Sequence, residues 1–158
     1  MERLLYIATF AAALGSCLVA GIFFAFSTFV MGALARIQQA AGISAMQSIN
    51  VVVLNPVFLS VFVGTAILCA VLMLSALLGW SSPRSLYLIA GGLLYAVGCF
   101  GVTMMFNVPL NDALAAVAPG STEGANLWMR YLSVWTNWNH VRTAASFAAS
   151  VFFILALA

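Results

Sequence analysis

The placement of charge constrains this chain more than any motif does. Glu2, Arg3, Arg36, Arg84, Asp112, Glu123, Arg130 and Arg142 are its charged side chains, and none falls within residues 4–35, 57–80, 86–106 or 151–158. A helix crosses the hydrocarbon core with about 20 apolar residues, a length the first three stretches reach unaided and the fourth reaches if it starts near Asn139. An arginine or aspartate at a helix centre costs about 2.5–3.5 kcal/mol to insert, so this exclusion is what four spanning helices require. With 65% apolar and only 5% charged residues, the chain lies far from the soluble average of about a quarter charged. It reads as a multi-pass integral membrane protein of the all-α class, a single domain over residues 1–158, with the lipid bilayer as its first partner. In a prokaryote the cell membrane would hold it.

Punctuation residues predict the helix limits. Leu14-Gly15-Ser16-Cys17 has the look of a lipoprotein cleavage box, but the sequence stays apolar through Leu34, well past a signal core, so a retained first helix running to about Gln39 is expected. Asn55-Pro56 fits either a cap and first turn or a kink. The apolar positions Ala45, Ile49, Val52 and Val53 favour a kinked long helix from near Ser44. Ser82-Pro83 caps the third helix, which should end near Asn107-Val108-Pro109, because proline disfavours helix in the residue before it. Ser121 or Thr122 can cap a fourth helix without glycine or proline from Ala125 to Ala158, about 50 Å long against roughly 30 Å of hydrocarbon. The expectation is a four-transmembrane-helix bundle in which helices 1, 2 and 4 extend beyond the bilayer on one side as a crown. Small residues on helices 1, 3 and 4, among them Gly21, Gly91, Gly92, Gly98, Ala145 and Ala149, would make the close contacts. The arginine count slightly favours a cytoplasmic crown.

Candidate chemistry gathers in that crown. On the fourth helix Trp128, Tyr131, Leu132, Trp135, Trp138, Asn139 and Arg142 recur at spacings of three and four, one face that turns from aromatic to polar as it enters the membrane. Asn107 and Asn111 flank Pro109, and Gln47, Asn50 and Asn55 add amides from the second helix. Asp112 is the carboxylate nearest this group. Two readings fit these residues: an interfacial latch, with aromatic belt residues and amides satisfying freed backbone groups, or a pocket in which a buried arginine binds an anion or a carbonyl oxygen. His140 is the sole histidine, so a zinc or di-iron site of usual composition cannot be assembled. Cys17, Cys69 and Cys99 lie at similar depth, but lack the histidine or carboxylate partners of a metal triad. No nucleotide-binding glycine motif is present, and no nucleic-acid partner is expected.

The paired segments 107–111, Asn-Val-Pro-Leu-Asn, and 135–143, Trp-Thr-Asn-Trp-Asn-His-Val-Arg-Thr, resemble the two signature segments of the anthrone oxygenase family of small four-helix membrane proteins. The likeness extends over nearly the whole chain, including helix number, the Asn-Pro of the second helix and the long final helix. It implies that members in polyketide pathways oxidise an anthrone to an anthraquinone with dioxygen, without a metal or flavin cofactor. Such chemistry requires a base, donors for an oxyanion and aromatic walls. On that reading Arg142, Asn139, Asn107 and Asn111 supply donors, Trp135 and Trp138 the walls, His140 or Asp112 the base, and Asn50 a further substrate contact. The competing expectation is a non-catalytic membrane module that oligomerises with itself or supports a partner. A small transporter fits less well, because no charge marks a pathway through the membrane core.

Overall fold

In the computed structural model, which describes residues 2–79 and 83–158, the chain is all-α, with no strand among the described residues. Four helical spans are long and apolar enough to cross a bilayer: Arg3–Leu34, Pro56–Leu78, Arg84–Ala115 and Thr122–Leu157. The first consists of α1 (Glu2–Ala25), a π-helical stretch (Phe26–Val30) and a last α-turn, α2 (Met31–Leu34). Two helices follow, α3 (Gln39–Val52) and α4 (Pro56–Leu78), the latter being the second span. The third span joins α5 (Pro83–Leu93), two π-helical stretches (Leu94–Gly101 and Thr103–Asn107) and α6 (Val108–Ala115), and the fourth is the single helix α7 (Thr122–Leu157). The spans pack in a ring: α1 against α7, α7 against α5, α5 against α4, and α4 back against α1.

The bundle is an inside-out version of a soluble one. Leu14, Leu18, Ile67, Val71, Leu74, Phe147 and Ile154 lie exposed on its outer face, a continuous apolar coat of the kind that lipid covers. Inside, Val19, Phe23, Phe62, Leu72, Leu88, Tyr95 and Phe153 form one core. Hydrocarbon gives helices no hydrophobic reason to associate, so close approach at small residues must do it. A Cβ added at Gly98 would sit 2.6 Å from Ala145 Cβ, which places the third and fourth spans in backbone-close contact there. Gly21, by contrast, faces open space and is not an interface glycine.

Three boundaries differ from the sequence reading. The first span stops at Leu34, and Gln39 opens α3 instead of closing the first helix. The second helix is not a kinked rod: Asn55 has extended backbone (φ −83°, ψ 156°) and separates α3 from α4. Its amide serves both ends, Nδ2 donating to Val52 O at 3.0 Å while Oδ1 accepts from Phe58 N at 3.0 Å, so the break satisfies the groups it frees. The third span does not end at Pro109 but continues to Ala115. Pro109 falls in the first turn of α6, directly after a π-helical stretch. The expected Ser82 cap lies outside the described residues. Ser121 does cap α7, its Oγ accepting from Gly124 N at 2.9 Å.

Candidate functional site

Along α7 the residues buried against the bundle are Trp128, Tyr131, Trp135, Asn139, Arg142 and Ser146, one stripe at helical spacing. Its outer half is a ladder of rings: Trp128 stacks on Tyr131 at 5.7 Å and Tyr131 on Trp135 at 5.6 Å between centroids. The ladder packs with Met31, Ile43, Met46 and Leu114 into a second core that holds the crown. Asn111 fastens two of its rungs, Oδ1 accepting from Tyr131 Oη at 2.7 Å and from Trp135 Nε1 at 2.8 Å. Asn50 Nδ2 reaches Tyr131 Oη at 3.4 Å, and Gln47 Nε2 donates to the carbonyls of Leu114 and Val117, which ties α3 to the end of α6.

One turn below Trp135 the stripe becomes polar. Arg142 is 4% exposed, and its guanidinium lies 4.1 Å from the centroid of the Phe23 ring and 5.0 Å from that of Trp135. Its hydrogen-bond partners are neutral: Nη2 donates to Asn139 Oδ1 at 2.6 Å and Nη1 to Thr103 Oγ1 at 3.2 Å, while Nε has no partner. No carboxylate pairs with it among the described residues. Asn139 in turn donates from Nδ2 to Phe23 O and to Ser27 Oγ, both at 2.7 Å, where the first span passes into its π-helical stretch. Ser27 Oγ also meets Thr143 Oγ1, and Ser146 Oγ donates to Arg142 O, so the base of the arginine is held on every side.

This guanidinium forms part of the wall of a cavity of about 570 Å³, within the range of small-molecule sites. The lining is mostly apolar, with Phe23, Phe26, Phe58, Phe62 and Phe100 supplying rings. Its polar members are few: Arg142, over the Trp135 ring, with its partner Thr103, and Asn111, Asp112, Asn50 and Gln47 towards the crown. Asp112 itself is exposed. All four spans and α3 contribute, so the cavity is a property of the whole bundle.

The sequence candidates thus divide. Arg142, Asn111, Asp112, Asn50 and Trp135 line the cavity together. Asn139 and Asn107 are fully buried just behind it: Asn139 holds Arg142, and Asn107 Nδ2 donates to Trp135 O at 3.1 Å while its Oδ1 is left without a partner. Trp138 is half-buried and stacks on Phe106 at 3.8 Å, outside the lining, and His140 is exposed on the far side of α7. Cys17 is exposed whereas Cys69 and Cys99 are buried, so the three share no common environment. Sequence reasoning missed Phe23, Ser27 and Thr103, the groups that clamp the arginine from other spans. Ser27 and Thr103 carried a signal, each a hydroxyl inside an apolar run, and Phe23 carried none.

Fold and site define a class: a small four-span membrane protein with an apolar internal chamber whose wall contains an uncompensated arginine. Within that class, the family model of the anthrone oxygenases matches residues 57–152, and the chain belongs to that family. The match takes in α4 and the third and most of the fourth span, hence Asn111, Asp112, Trp135 and Arg142, but leaves out Phe23 and Asn50. No curated protein and no solved structure matches the chain.

Proposed function

We propose that the chamber binds a flat, lipophilic, enolisable aromatic ketone of the anthrone type and that the protein oxidises it with dioxygen, without a redox cofactor. The observation that carries this reading is Arg142, a buried cation in an apolar wall, bonded only to neutral groups and with Nε free. A buried charge without a partner is costly, and a site that holds one ready gains from any ligand on which negative charge develops.

The chemistry follows from that placement. The Asp112 carboxylate removes a proton from the ring carbon activated by the ketone, and the electron pair moves onto the carbonyl oxygen, which Arg142 stabilises as an enolate. The enolate is itself the reductant: its electrons pass to dioxygen, and a C–O bond forms at the deprotonated carbon, giving a hydroperoxide once a proton returns. Cleavage of the O–O bond with loss of water leaves a second carbonyl. Anthrone and dioxygen thus give anthraquinone and water. Asn139 positions the guanidinium, and Asn111 and Asn50 contact ring oxygens at the other end of Trp135.

Removing one oxyanion donor typically costs a factor of about 10²–10³ in turnover, so oxygen uptake by the purified protein with an anthrone should fall by about that factor in Arg142→Ala, and less in Asn139→Ala. Equal rates in wild type and both variants would remove these residues from catalysis. A second reading has its own support: Asn107 and Asn139 are spent on backbone carbonyls of neighbouring spans, as a structural latch requires. Under that reading the protein is a non-catalytic membrane module, and an anthrone would be oxidised no faster with it than without it.

A further inference from the structure

We infer that the chamber is loaded sideways from the hydrocarbon region, through a slit between α4 and the 103–115 half of the third span, by an aromatic ring compound whose aliphatic chain stays in the slit. This rests on the ring site proposed above and adds its ligand class and route. The slit is visible first in the packing. α4 lies along α5 and the Leu94–Gly101 stretch, but has no comparable packing on Thr103–Asn107 or on α6.

Its cause is local. The break at Asn55 lets α3 lean on α6, where Gln47 bonds the Leu114 and Val117 carbonyls, while α4 stays with α5. Two successive π-helical stretches lie in the third span between these attachments, widened turns of the kind at which helices change direction.

The side chains on the two lips are apolar, and they both line the chamber and lie open to the outside. Val63 on α4 is 38% exposed and Met104 on the third span 51%, and Leu54, at the break just before α4, is 64% exposed. α4 has 23 residues, a rise of about 35 Å that matches the hydrocarbon core, so Val63 lies at lipid level and not in the aqueous crown. An open apolar slot at that depth fills with chain. A chain already dissolved in lipid gains no hydrophobic free energy by moving into it, so the slot confers tolerance of a chain, not affinity for one. The ring part is placed by two polar groups about one indole: Arg142 over the face of the Trp135 ring and Asn111 at its Nε1. The ligand therefore carries oxygens at two separate positions of its ring system and its chain on the edge facing α4.

The test uses the full chain in lipid nanodiscs and two coloured probes, a hydroxynaphthoquinone without a chain and the same ring with a long saturated alkyl chain, titrated by absorbance difference. Wild type should bind both with bilayer-based affinities within about threefold. Filling the slit with Val63→Phe and Met104→Phe should slow the uptake of both probes and, at equilibrium, weaken the chain-bearing probe at least about tenfold more than the chainless one. A filled variant that treats the two probes alike, whether it binds both or neither, overturns the inference, as does a wild type that rejects the chain. Val63→Ala guards against a filled variant that does not fold: it should speed uptake of the chain-bearing probe, and an unchanged rate counts against the slit. Arg142→Ala separates the two proposals. If it binds both probes as wild type does, the ring site fails while the comparison of chains still stands.

Discussion

Arg142→Met separates pocket from latch through stability. Methionine keeps the length of the side chain and can keep contact with the Phe23 and Trp135 rings, since sulfur–aromatic contacts and cation–π contacts are of similar size, about 0.3–2 kcal/mol. The substitution loses hydrogen bonds to Asn139 Oδ1 and Thr103 Oγ1, about 0.6 kcal/mol each within a membrane, or roughly 1 kcal/mol together. It also removes an arginine charge from the apolar interior, which insertion scales put at about 2.5–3.5 kcal/mol. The balance favours the variant by about 2 kcal/mol, and for a chain of this size each kcal/mol moves the midpoint by about 2–4 °C. Thermal unfolding in detergent or nanodiscs should therefore show Arg142→Met melting several degrees above wild type, while oxygen uptake with an anthrone collapses. A midpoint lowered by more than about 4 °C would refute the reasoning, because it would show that the arginine holds the spans together, as one half of a buried pair does when its removal costs about 3–5 kcal/mol.

Asp112 and His140 are distinguished by the same assay. Asp112→Asn should lower oxygen uptake by about 10²-fold or more without moving the melting point, since the side chain is exposed, and His140→Ala should change neither quantity. Asn139→Ala should lower stability by about 2 kcal/mol, read as a fall of roughly 4–8 °C, because it strips partners from Phe23 O, Ser27 Oγ and Arg142 at once; adding Arg142→Met should restore part of that loss. Gly98→Val should destabilise by about 1–3 kcal/mol or more, since a Cβ at that position already meets Ala145 Cβ at 2.6 Å, and Gly21→Ala, which faces open space, serves as the neutral control in the same melting series.

Much of the fold was legible because lipid imposes a simple rule: charges stay out of spans, and the runs between them are helices. The Ser121 cap and the stripe on α7 followed from local pattern alone. What was not legible depended on partners distant in sequence. Asn55-Pro56 fits a kink or a cap equally well until Val52 O and Phe58 N are seen to share the Asn55 amide. The π-helical stretches leave no mark in composition, and it is they that carry the third span past Pro109. Trp138 was grouped with the pocket face on its spacing of three from Trp135. At 3.6 residues per turn that step turns about 60° to one side, whereas Arg142, seven residues on, returns to within about 20°. Trp138 therefore meets Phe106 while Arg142 meets the chamber. Nothing in the sequence says that Asn139 answers a carbonyl on the first span or that Asn107 answers Trp135 O.

The same stripe explains why a chamber exists at all. Helices in hydrocarbon close on one another wherever small residues allow, so an empty space between them needs spacers. Along α7 the buried residues run from Ala149 and Ala145, where Gly98 of the third span closes in, to Trp135, whose ring lines the chamber, and on to Tyr131 and Trp128, which stack beyond it. Small residues thus close the bundle on one side of the chamber, and a large ring stands in its wall. Arg142 lies between the two, one turn from Ala145 and 4% exposed. In so dry a wall each hydrogen bond to a developing anion counts most. Moving the guanidinium one turn outward, as in Arg142→Ala combined with Asn139→Arg, would place it nearer the crown and the solvent, and take away the Asn139 amide that now orients it. Such a protein should insert as readily as wild type and still stabilise an enolate poorly. Recovery of wild-type oxygen uptake in that double variant would show that charge alone, and not its place beside Ala145, is what the site requires.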